Sequence, residues 1–214
     1  MTPKPKLPFD PKLFPAKVDE GSTIAEYQAD AGASVPYPVQ YVGQWTTKDG
    51  TPLTIRPIRP EDEPMMVAFH QRLSERSVYF RYFHLLKVGQ RTAHERLTRI
   101  CLIVYGREMV LVAERQGGPS SGNEILGVGR LIRTHGTNDA EMAILVSDDF
   151  HHRGLGTELL RRLIDIARRE KVERITADIL AENRAMQRIC ERLGFRLTYQ
   201  AEDGVVKAEI RLSQ

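Results

Sequence analysis

The segment of residues 144–170 restricts the fold of this chain more than any other part of the sequence. It begins with an apolar stretch, continues through a turn that contains Gly154 and Gly156, and ends in a strongly amphipathic stretch. Apolar residues recur there at the spacing of one helical face, at Leu155, Leu159, Leu163 and Ile166. The segment therefore predicts a β-strand, a glycine-containing turn and an α-helix in direct succession.

A turn of this kind can bind a phosphate group through its backbone. Glycines adopt main-chain conformations that other residues avoid, and they let a ligand approach the chain closely. The first N–H groups of a helix lack acceptors within the helix, and its N-terminus carries about half a positive charge. Arg153, beside the turn, adds a mobile cation that suits phosphate. These features predict a pyrophosphate-binding site at the start of the helix.

The details of the turn separate it from other nucleotide-binding motifs. A P-loop needs a Gly-Lys-Ser/Thr sequence where the chain has Gly156-Thr157, and a dinucleotide fingerprint needs a third glycine where Leu159 stands. The shorter pattern that remains, Gln/Arg-x-x-Gly-x-Gly/Ala, resembles the acyl-CoA loop of GNAT acetyltransferases. His151 takes the place of the usual Gln or Arg. It is either a donor to a phosphate or a histidine of a surface loop.

Sequences on both sides of this turn extend the resemblance. Downstream, residues 183–195 resemble the second CoA-contacting motif of the superfamily, in which an Asn opens a helix that ends in Gly-Phe. Upstream, residues 53–63, 73–83 and 105–109 resemble the acetyltransferase domain of bacterial protein lysine acetyltransferases of the Pat type. The resemblance runs from about residue 41 to residue 199. Val104 departs from it, because an acidic residue often stands before the following tyrosine.

These features together predict an α/β (α+β) fold. Strand-like and helix-like stretches follow in the order strand, helices, three strands, helix, strand, helix and two strands, with early helices reaching about residue 85 and covering 92–100. Consecutive strands indicate antiparallel pairs, whereas the later strand–helix–strand unit indicates a parallel crossover. We expect a mixed, mostly antiparallel twisted sheet flanked by helices, and the resemblance implies a splayed central strand at the acyl-CoA site. Residues 1–40 are expected to be a largely irregular tail or linker, and residues 41–214 the domain.

The resemblance implies that an amine attacks the thioester of acetyl-CoA. A lysine amine, with a pKa near 10.4 in water, must first lose a proton, which a carboxylate can take directly or through water. In the family a Glu on the strand before the loop has this role, and the matching residue is Glu141, with Asp139 as the fallback. The alternative for Glu141 is a solvated carboxylate at a strand end. Cys190 stands where many members have a tyrosine that protonates the departing thiolate, so this thiol or water supplies the proton.

The resemblance also implies which residues bind acetyl-CoA. The backbones of Leu145 and Val146 are expected to hold the pantetheine arm and to stabilise the oxyanion. The full set of expected binding residues is Leu145, Val146, His151, Arg153, Gly154, Leu155, Gly156, Thr157 and Asn183. Arg81, Tyr82 and Phe83 fall where the early helices border the acceptor cleft in GNAT folds. The favoured alternative is core packing for the two aromatic residues and a solvated face for Arg81.

Composition narrows the remaining function classes. The chain has 214 residues, of which 41% are hydrophobic and 28% charged, as in one globular domain. Two cysteines without clustered histidines predict no metal site, and no apolar stretch has the roughly 18 residues of a membrane-spanning helix. Without a recognisable signal peptide, a cytoplasmic protein is expected. The net charge of +3 suits an anionic ligand, and the basic residues of 161–174 are interspersed with acids, which favours a solvated face over nucleic-acid binding.

The leading hypothesis is an acetyl-CoA-dependent N-acetyltransferase that modifies lysine side chains of proteins. One alternative is an N-acetyltransferase for small amines, such as polyamines, amino acids or antibiotics, and another is a non-catalytic CoA-sensing module. The expected partners are acetyl-CoA and a protein lysine or another primary amine. Neither nucleic acid nor a membrane is expected as a partner, and a homodimer is left open.

Overall fold

The structure is a computed structural model that describes residues 36–103, 105–117, 122–200 and 204–212. Residues 1–35, which make up most of the expected tail, lie outside the described residues. So do Val104 and residues 201–203 at the tip of the expected last hairpin.

The described residues form eight strands and six α-helices. The strands are β1 (Gly43–Thr46), β2 (Pro52–Pro57), β3 (Glu108–Arg115), β4 (Glu124–Arg133), β5 (Asp139–Val146), β6 (Arg174–Leu180), β7 (Arg196–Gln200) and β8 (Val205–Arg211). The helices are α1 (Glu63–Arg72), α2 (Glu75–Tyr82), α3 (Val88–Arg91), α4 (His94–Cys101), α5 (Leu155–Arg169) and α6 (Arg184–Arg192). Short 3-10 turns cover Val39–Tyr41, Pro60–Asp62 and Asp148–Phe150.

All eight strands join one sheet in the order β1-β2-β3-β4-β5-β6-β8-β7. The strands from β1 to β5 pair antiparallel with their sequence neighbours, and β8 lies antiparallel between β6 and β7. Only the β5–β6 pair is parallel, with α5 as the crossover. The expected mixed, mostly antiparallel sheet with one parallel crossover is therefore confirmed.

The sheet opens along its parallel pair. β5 pairs with β6 only at Asp139, Ala140 and Glu141, opposite Arg174, Ile175 and Thr176. Beyond Glu141, β5 still pairs with β4 as far as Val146, and β6 still pairs with β8 as far as Leu180. The described residues thus leave one edge of the second half of β5 without a strand neighbour. This is the splayed strand that the resemblance implies.

Helices cover both faces of the sheet, so the central strands are buried on both sides. Along β3, Leu111 and Ala113 face the core beneath α5, whereas Val110 and Val112 face the core beneath α1, α2 and α4. This alternation follows from the two-residue period of a strand. It explains why β3 consists almost entirely of buried residues.

Two glycines of β4 allow α5 to pack close to the sheet. A Cβ atom added to Gly127 would lie 3.0 Å from a methyl group of Leu159, and one added to Gly129 would lie 3.2 Å from a methyl group of Leu163. Side chains at these positions would push α5 away from the strand. The short distance fixes the N-terminal turn of α5 against the end of β5.

A buried ion network joins β2 to the start of α1. The guanidinium of Arg56 donates two hydrogen bonds of 2.7 Å to the carboxylate of Asp62 and one of 2.6 Å to Glu114 of β3. All three side chains are buried. Asp62 also accepts a 2.7 Å hydrogen bond from the backbone N–H of Arg59. The network therefore gives Arg56 and Asp62, which both belong to the segment of residues 53–63, a structural role.

Four local features differ from the sequence-based expectations. The edge strand β1 was not expected, and the single-turn helix α3 was not expected either. Helix α2 ends at Tyr82 and not near residue 85, because Phe83 adopts the left-handed conformation with φ 63°. Helix α4 begins at His94, two residues later than expected. In the described residues no helix has both the length and the apolar character needed to cross a membrane.

Candidate functional site

The expected glycine turn lies at the open edge of β5. After the 3-10 turn Asp148–Phe150, Gly154 adopts a left-handed conformation with φ 91°, and α5 begins at the next residue. A Cβ atom added to Gly156 would lie 3.4 Å from Ile189 of α6 and 3.8 Å from Val146. The N-terminus of α5 therefore faces the space between β5 and α6. Its first N–H groups have no acceptor within the helix.

The tip of the β1–β2 hairpin packs against this turn. The side chain of Arg153 forms an ion pair with Asp49 and stacks over the ring of Phe150, at 4.5 Å from its centroid. The backbone N–H of Lys48 donates to the carbonyl of Arg153 at 3.2 Å. A hydrogen bond from Thr47, together with the charge of Arg153, holds the pKa of Asp49 below its usual value. Arg153, expected as a mobile cation, is thus tethered by a residue that is distant in sequence.

Asp148 fixes the other side of the turn to α2. Its carboxylate accepts hydrogen bonds from the backbone N–H of Ser74 at 2.9 Å and from the hydroxyls of Ser74 and Ser77 at 2.6 and 2.8 Å. These bonds keep the pKa of Asp148 below its usual value although partial burial opposes the shift. His151 is exposed, and its Nε2 lies 3.0 Å from the carbonyl oxygen of Val146. In this arrangement His151 contacts the end of β5.

The split between β5 and β6 opens into a cleft of about 350 Å³. Its walls come from both splayed strands, from the end of α2, from α4 and from the start of α6. The cleft brings together Glu141 and Asn183 of the expected site with Asp178, Arg81, Arg96 and Arg99. The glycine turn, His151 and Arg153 are not among its lining residues, nor are Leu145 and Val146. The expected residues thus divide between the cleft and the turn at the other end of β5.

Glu141 occupies the last position at which β5 pairs with β6. Its neighbours in the sheet are Ile132 of β4 and Thr176 of β6. Burial raises the pKa of Glu141 to about 7; the charge of Arg81 opposes this shift and that of Asp178 adds to it. A carboxyl group with this pKa is partly ionised and partly protonated at neutral pH. It can therefore accept a proton there, which suits a general base.

Asp139, the fallback base, has a different environment. It forms an ion pair with Arg174, and this contact holds the pKa of Asp139 below its usual value. Asp139 does not line the cleft. It lies two residues before the split, where β5 and β6 are still paired. The surroundings of Glu141 are therefore better suited to proton transfer than those of Asp139.

The second expected motif forms a well-capped helix at the cleft. The side-chain oxygen of Asn183 accepts a hydrogen bond of 3.1 Å from the backbone N–H of Met186, and Gly194 follows α6 with φ 89°. Asn183 thus uses its side-chain oxygen to cap the helix, and the same residue also lines the cleft. Cys190 is fully buried in the core, where burial raises the pKa of its thiol to about 12. It does not line the cleft, and these features do not favour it as an acid.

Several residues of this region could not be recognised from sequence. Lys48 and Asp49 reach the glycine turn across the sheet, and Arg96, Arg99 and Asp178 reach the cleft from α4 and β6. None belongs to a short motif with the expected residues, and Asp178 is the third of three alternating polar residues of β6, after Arg174 and Thr176, so the pattern did not single it out. Within the described ranges, no group of three or more His, Cys, Asp or Glu side chains is arranged to hold a metal ion.

Comparisons by sequence and by structure both give acetyltransferases. The family model described as "Acetyltransferase (GNAT) domain" matches residues 52–196. The acetyltransferase PA5475 of Pseudomonas aeruginosa is 32% identical over 148 residues, which are 69% of this chain and 76% of that protein. The acetyltransferase Pat of Mycolicibacterium smegmatis is 31% identical over 207 residues, 94% of this chain. The match covers only 56% of Pat, so this chain spans little more than half of that relative.

Solved structures share the same fold. The GNAT domain of PAT from S. lividans has a TM-score of 0.73 and 26% sequence identity, over 82% of this chain and 99% of that domain. The protein yncA from Salmonella typhimurium, a putative acetyltransferase solved with its cofactor acetyl-CoA, has a TM-score of 0.54 and 22% identity. The match covers 95% of that protein and 76% of this chain.

Proposed function

The chain belongs to the GNAT acetyltransferase family and is an acyltransferase, and from this premise we propose that it transfers the acetyl group of acetyl-CoA to lysine side chains of proteins. The motifs of residues 53–63, 73–83 and 105–109 support a protein acceptor, because they resemble those of Pat-type enzymes. The similarity to Pat of M. smegmatis supports it as well.

In this proposal acetyl-CoA lies along the open edge of β5. Its diphosphate binds at the N-terminal turn of α5, where Gly154, Leu155, Gly156 and Thr157 offer backbone N–H groups. Its pantetheine arm runs beside Leu145 and Val146 towards the cleft, and Asn183 and His151 flank it. A Cβ atom added to Gly156 would lie 3.4 Å from Ile189, and this supports the path because a side chain at 156 would narrow the space between β5 and α6.

Arg153 can bind the diphosphate of acetyl-CoA only if its side chain leaves the ion pair with Asp49 and pairs with a phosphate group instead. The ion pair with Asp49 is a surface contact, with side chains 36% and 43% exposed, so it is weak enough to be replaced by a phosphate. Lys48 lies at the same hairpin tip, and a Cβ atom added to Gly154 would lie 3.5 Å from a methylene group of Lys48. Both cations are therefore close to the proposed diphosphate site.

The proposed reaction is a direct transfer. Glu141 takes a proton from the lysine ammonium, and the neutral amine nitrogen attacks the thioester carbonyl carbon. A backbone N–H of splayed β5 stabilises the oxyanion that forms. The carbon–sulfur bond then breaks and the thiolate leaves. The attached nitrogen loses its extra proton, which passes through water to the thiolate, so that a neutral amide and the thiol of CoA remain. Asp178, also at the cleft, favours the approach of a cationic acceptor.

The observation that carries the proposal is the position of Glu141 at the last paired residue before the sheet opens. Replacing this carboxylate tests it: Glu141→Gln should lower turnover roughly 100- to 10,000-fold, the usual contribution of a general base. Affinity for CoA, measured by calorimetry, should stay nearly unchanged because the diphosphate site is distant from Glu141.

Glu95 supplies the matched control, because it also lines the cleft but is exposed at the start of α4. Glu95→Gln should keep most of the turnover. Unchanged turnover in Glu141→Gln would reject Glu141 as the base. The acceptor itself is tested by mass spectrometry of candidate proteins and of free amines incubated with acetyl-CoA. Acetylation of free amines alone would reject the protein acceptor.

A further inference from the structure

Three arginines line the same cleft as Glu141. Arg81 lies in the last turn of α2, and Arg96 and Arg99 lie one helical turn apart on α4. All three side chains are partly buried. Three guanidinium groups repel a lysine ammonium in the same cleft. An acidic group on the acceptor would offset this repulsion by binding the guanidinium groups.

Packing holds two of these arginines in place. The guanidinium carbon of Arg81 lies 4.9 Å from the centroid of the Tyr82 ring, and that of Arg96 lies 4.8 Å from the same centroid. Tyr82 is itself buried in the core beneath α1, α2 and α4. Two guanidinium groups anchored to one ring are pre-organised. Their planar donor groups match the geometry of a carboxylate.

The arginines make this end of the cleft positive. His70, which is buried beside it, shows the effect: burial lowers the pKa of His70 to about 3, and the charges of Arg96, Arg91 and Arg81 add to the shift. The acids at the cleft are Glu141, Asp178 and Glu95, and a fourth arginine, Arg130, forms an ion pair with Glu108. The cleft thus offers carboxylates to an amine and guanidinium groups to an anion.

We propose that Arg81, Arg96 and Arg99 form a carboxylate-binding subsite, and that the enzyme selects lysines with an Asp or Glu side chain beside them. The acidic side chain binds the arginines while the lysine amine lies at Glu141. This inference rests on the proposed function in two respects, the protein acceptor and the position of the amine at Glu141. The volume of about 350 Å³ lies at the small end of the range of ligand pockets, which suits one lysine and one neighbouring side chain.

The test uses three short peptides with blocked termini that differ only at the two residues beside a central lysine, which are Asp, Asn or Arg. For each peptide, kcat/KM is measured by CoA release and affinity by fluorescence anisotropy without acetyl-CoA. The Asp peptide should exceed the Asn peptide by about tenfold or more in both, as expected for charge-assisted hydrogen bonds. The preference should weaken as ionic strength rises.

Arg99 is the residue to change, because Arg81 also acts on Glu141 and Arg96 packs on Tyr82. Arg99→Gln should remove most of the preference, and Arg99→Glu should reverse it in favour of the Arg peptide, which loss of packing alone would not do. Arg168→Gln, on the exposed side of α5, is the control and should keep the preference. Thermal unfolding checks that each variant is folded.

Equal values for the Asp and Asn peptides, or a preference that survives in Arg99→Glu, would overturn the subsite. If no peptide is acetylated, the proposal of a protein acceptor is rejected. The affinities from anisotropy then test whether the arginines bind a carboxylate, by the difference between the Asp and Asn peptides and its loss in Arg99→Glu. If free lysine is acetylated in preference to 1,5-diaminopentane and no peptide reacts, the acceptor is a small amino acid and the proposed peptide specificity is overturned.

Discussion

Glu141 is surrounded by charges of both signs, and each of them changes the pH range in which this residue can accept a proton. Burial raises its pKa to about 7, and Asp178 acts in the same direction, because both disfavour the carboxylate. Arg81 and Arg130 favour the carboxylate and limit the rise. A base that must be ionised before it works gives an activity that increases with pH through this pKa.

The pH profile of Arg81→Gln tests this environment. Loss of the positive charge should raise the pKa of Glu141 further, so the acidic limb of log kcat/KM should move to higher pH and activity at pH 6.5 should fall several-fold. The substrate is the Asn peptide, which has no carboxylate beside its lysine. Loss of Arg81 from the proposed carboxylate subsite therefore has little effect on how this peptide binds. The substrate lysine titrates identically with both enzymes, so the difference between the profiles reports on the enzyme. Superimposable profiles would contradict the assignment of Glu141 as the titrating base.

At the scale of single elements, the strand, glycine turn and helix of residues 144–170 illustrate what local sequence rules predict. The helical face of α5, the cap of Asn183 on α6 and the parallel crossover all form as expected. Each depends on residues within a few positions, or on one connection. β1 was not recognised, because its four residues form a half-exposed edge strand without an apolar stretch.

Contacts between distant elements could not be predicted in this way. The ion pair of Arg153 with Asp49 joins residues 104 positions apart, and the arginines of α4 line the same cleft as Glu141 only because two helices fold over one face of the sheet. The opening of β5 from β6 has no local signature and entered only through the family resemblance. Sequence thus predicts which elements form, whereas tertiary packing determines which side chains share the cleft.

The turn before α5 gives a prediction of its own at this scale. Gly154→Ala places a side chain at φ 91°, which costs roughly 1–2 kcal/mol for an L-residue. It also adds a methyl group about 3.5 Å from Lys48, at the proposed diphosphate site. CoA affinity, measured by calorimetry, should therefore fall by about tenfold, because the first N–H groups of α5 no longer face a phosphate in register.

Gly136→Ala is the control that distinguishes the effect of backbone strain from the effect of damage to the proposed diphosphate site. Gly136 lies in the β4–β5 turn with φ 76° and has no atom within 4 Å of an added Cβ, so the substitution imposes similar strain in open space. Both variants should lose stability to a similar extent, but only Gly154→Ala should lose CoA affinity. Full affinity in Gly154→Ala would show that the diphosphate binds elsewhere.

At the scale of the whole molecule, the ion network of Arg56 connects the edge of the sheet to the helices of the acceptor side. Arg56 belongs to β2, Asp62 to the turn before α1 and Glu114 to β3, and helix α1 packs on β4 in turn. Helices α2 and α4, which line the cleft of Glu141, share one hydrophobic core with α1. The position of the cleft walls relative to Glu141 therefore depends on a network remote from the chemistry.

Arg56→Met leaves two carboxylates buried without their cation, so it should lower the free energy of unfolding by about 3–5 kcal/mol at pH 7. The loss is measured by urea unfolding at pH 7. Arg168→Met removes an exposed ion pair with Asp165 and should cost less than about 1 kcal/mol. A cost for Arg56→Met as small as that of the surface variant would mean that the network positions β2 and α1 without stabilising the fold.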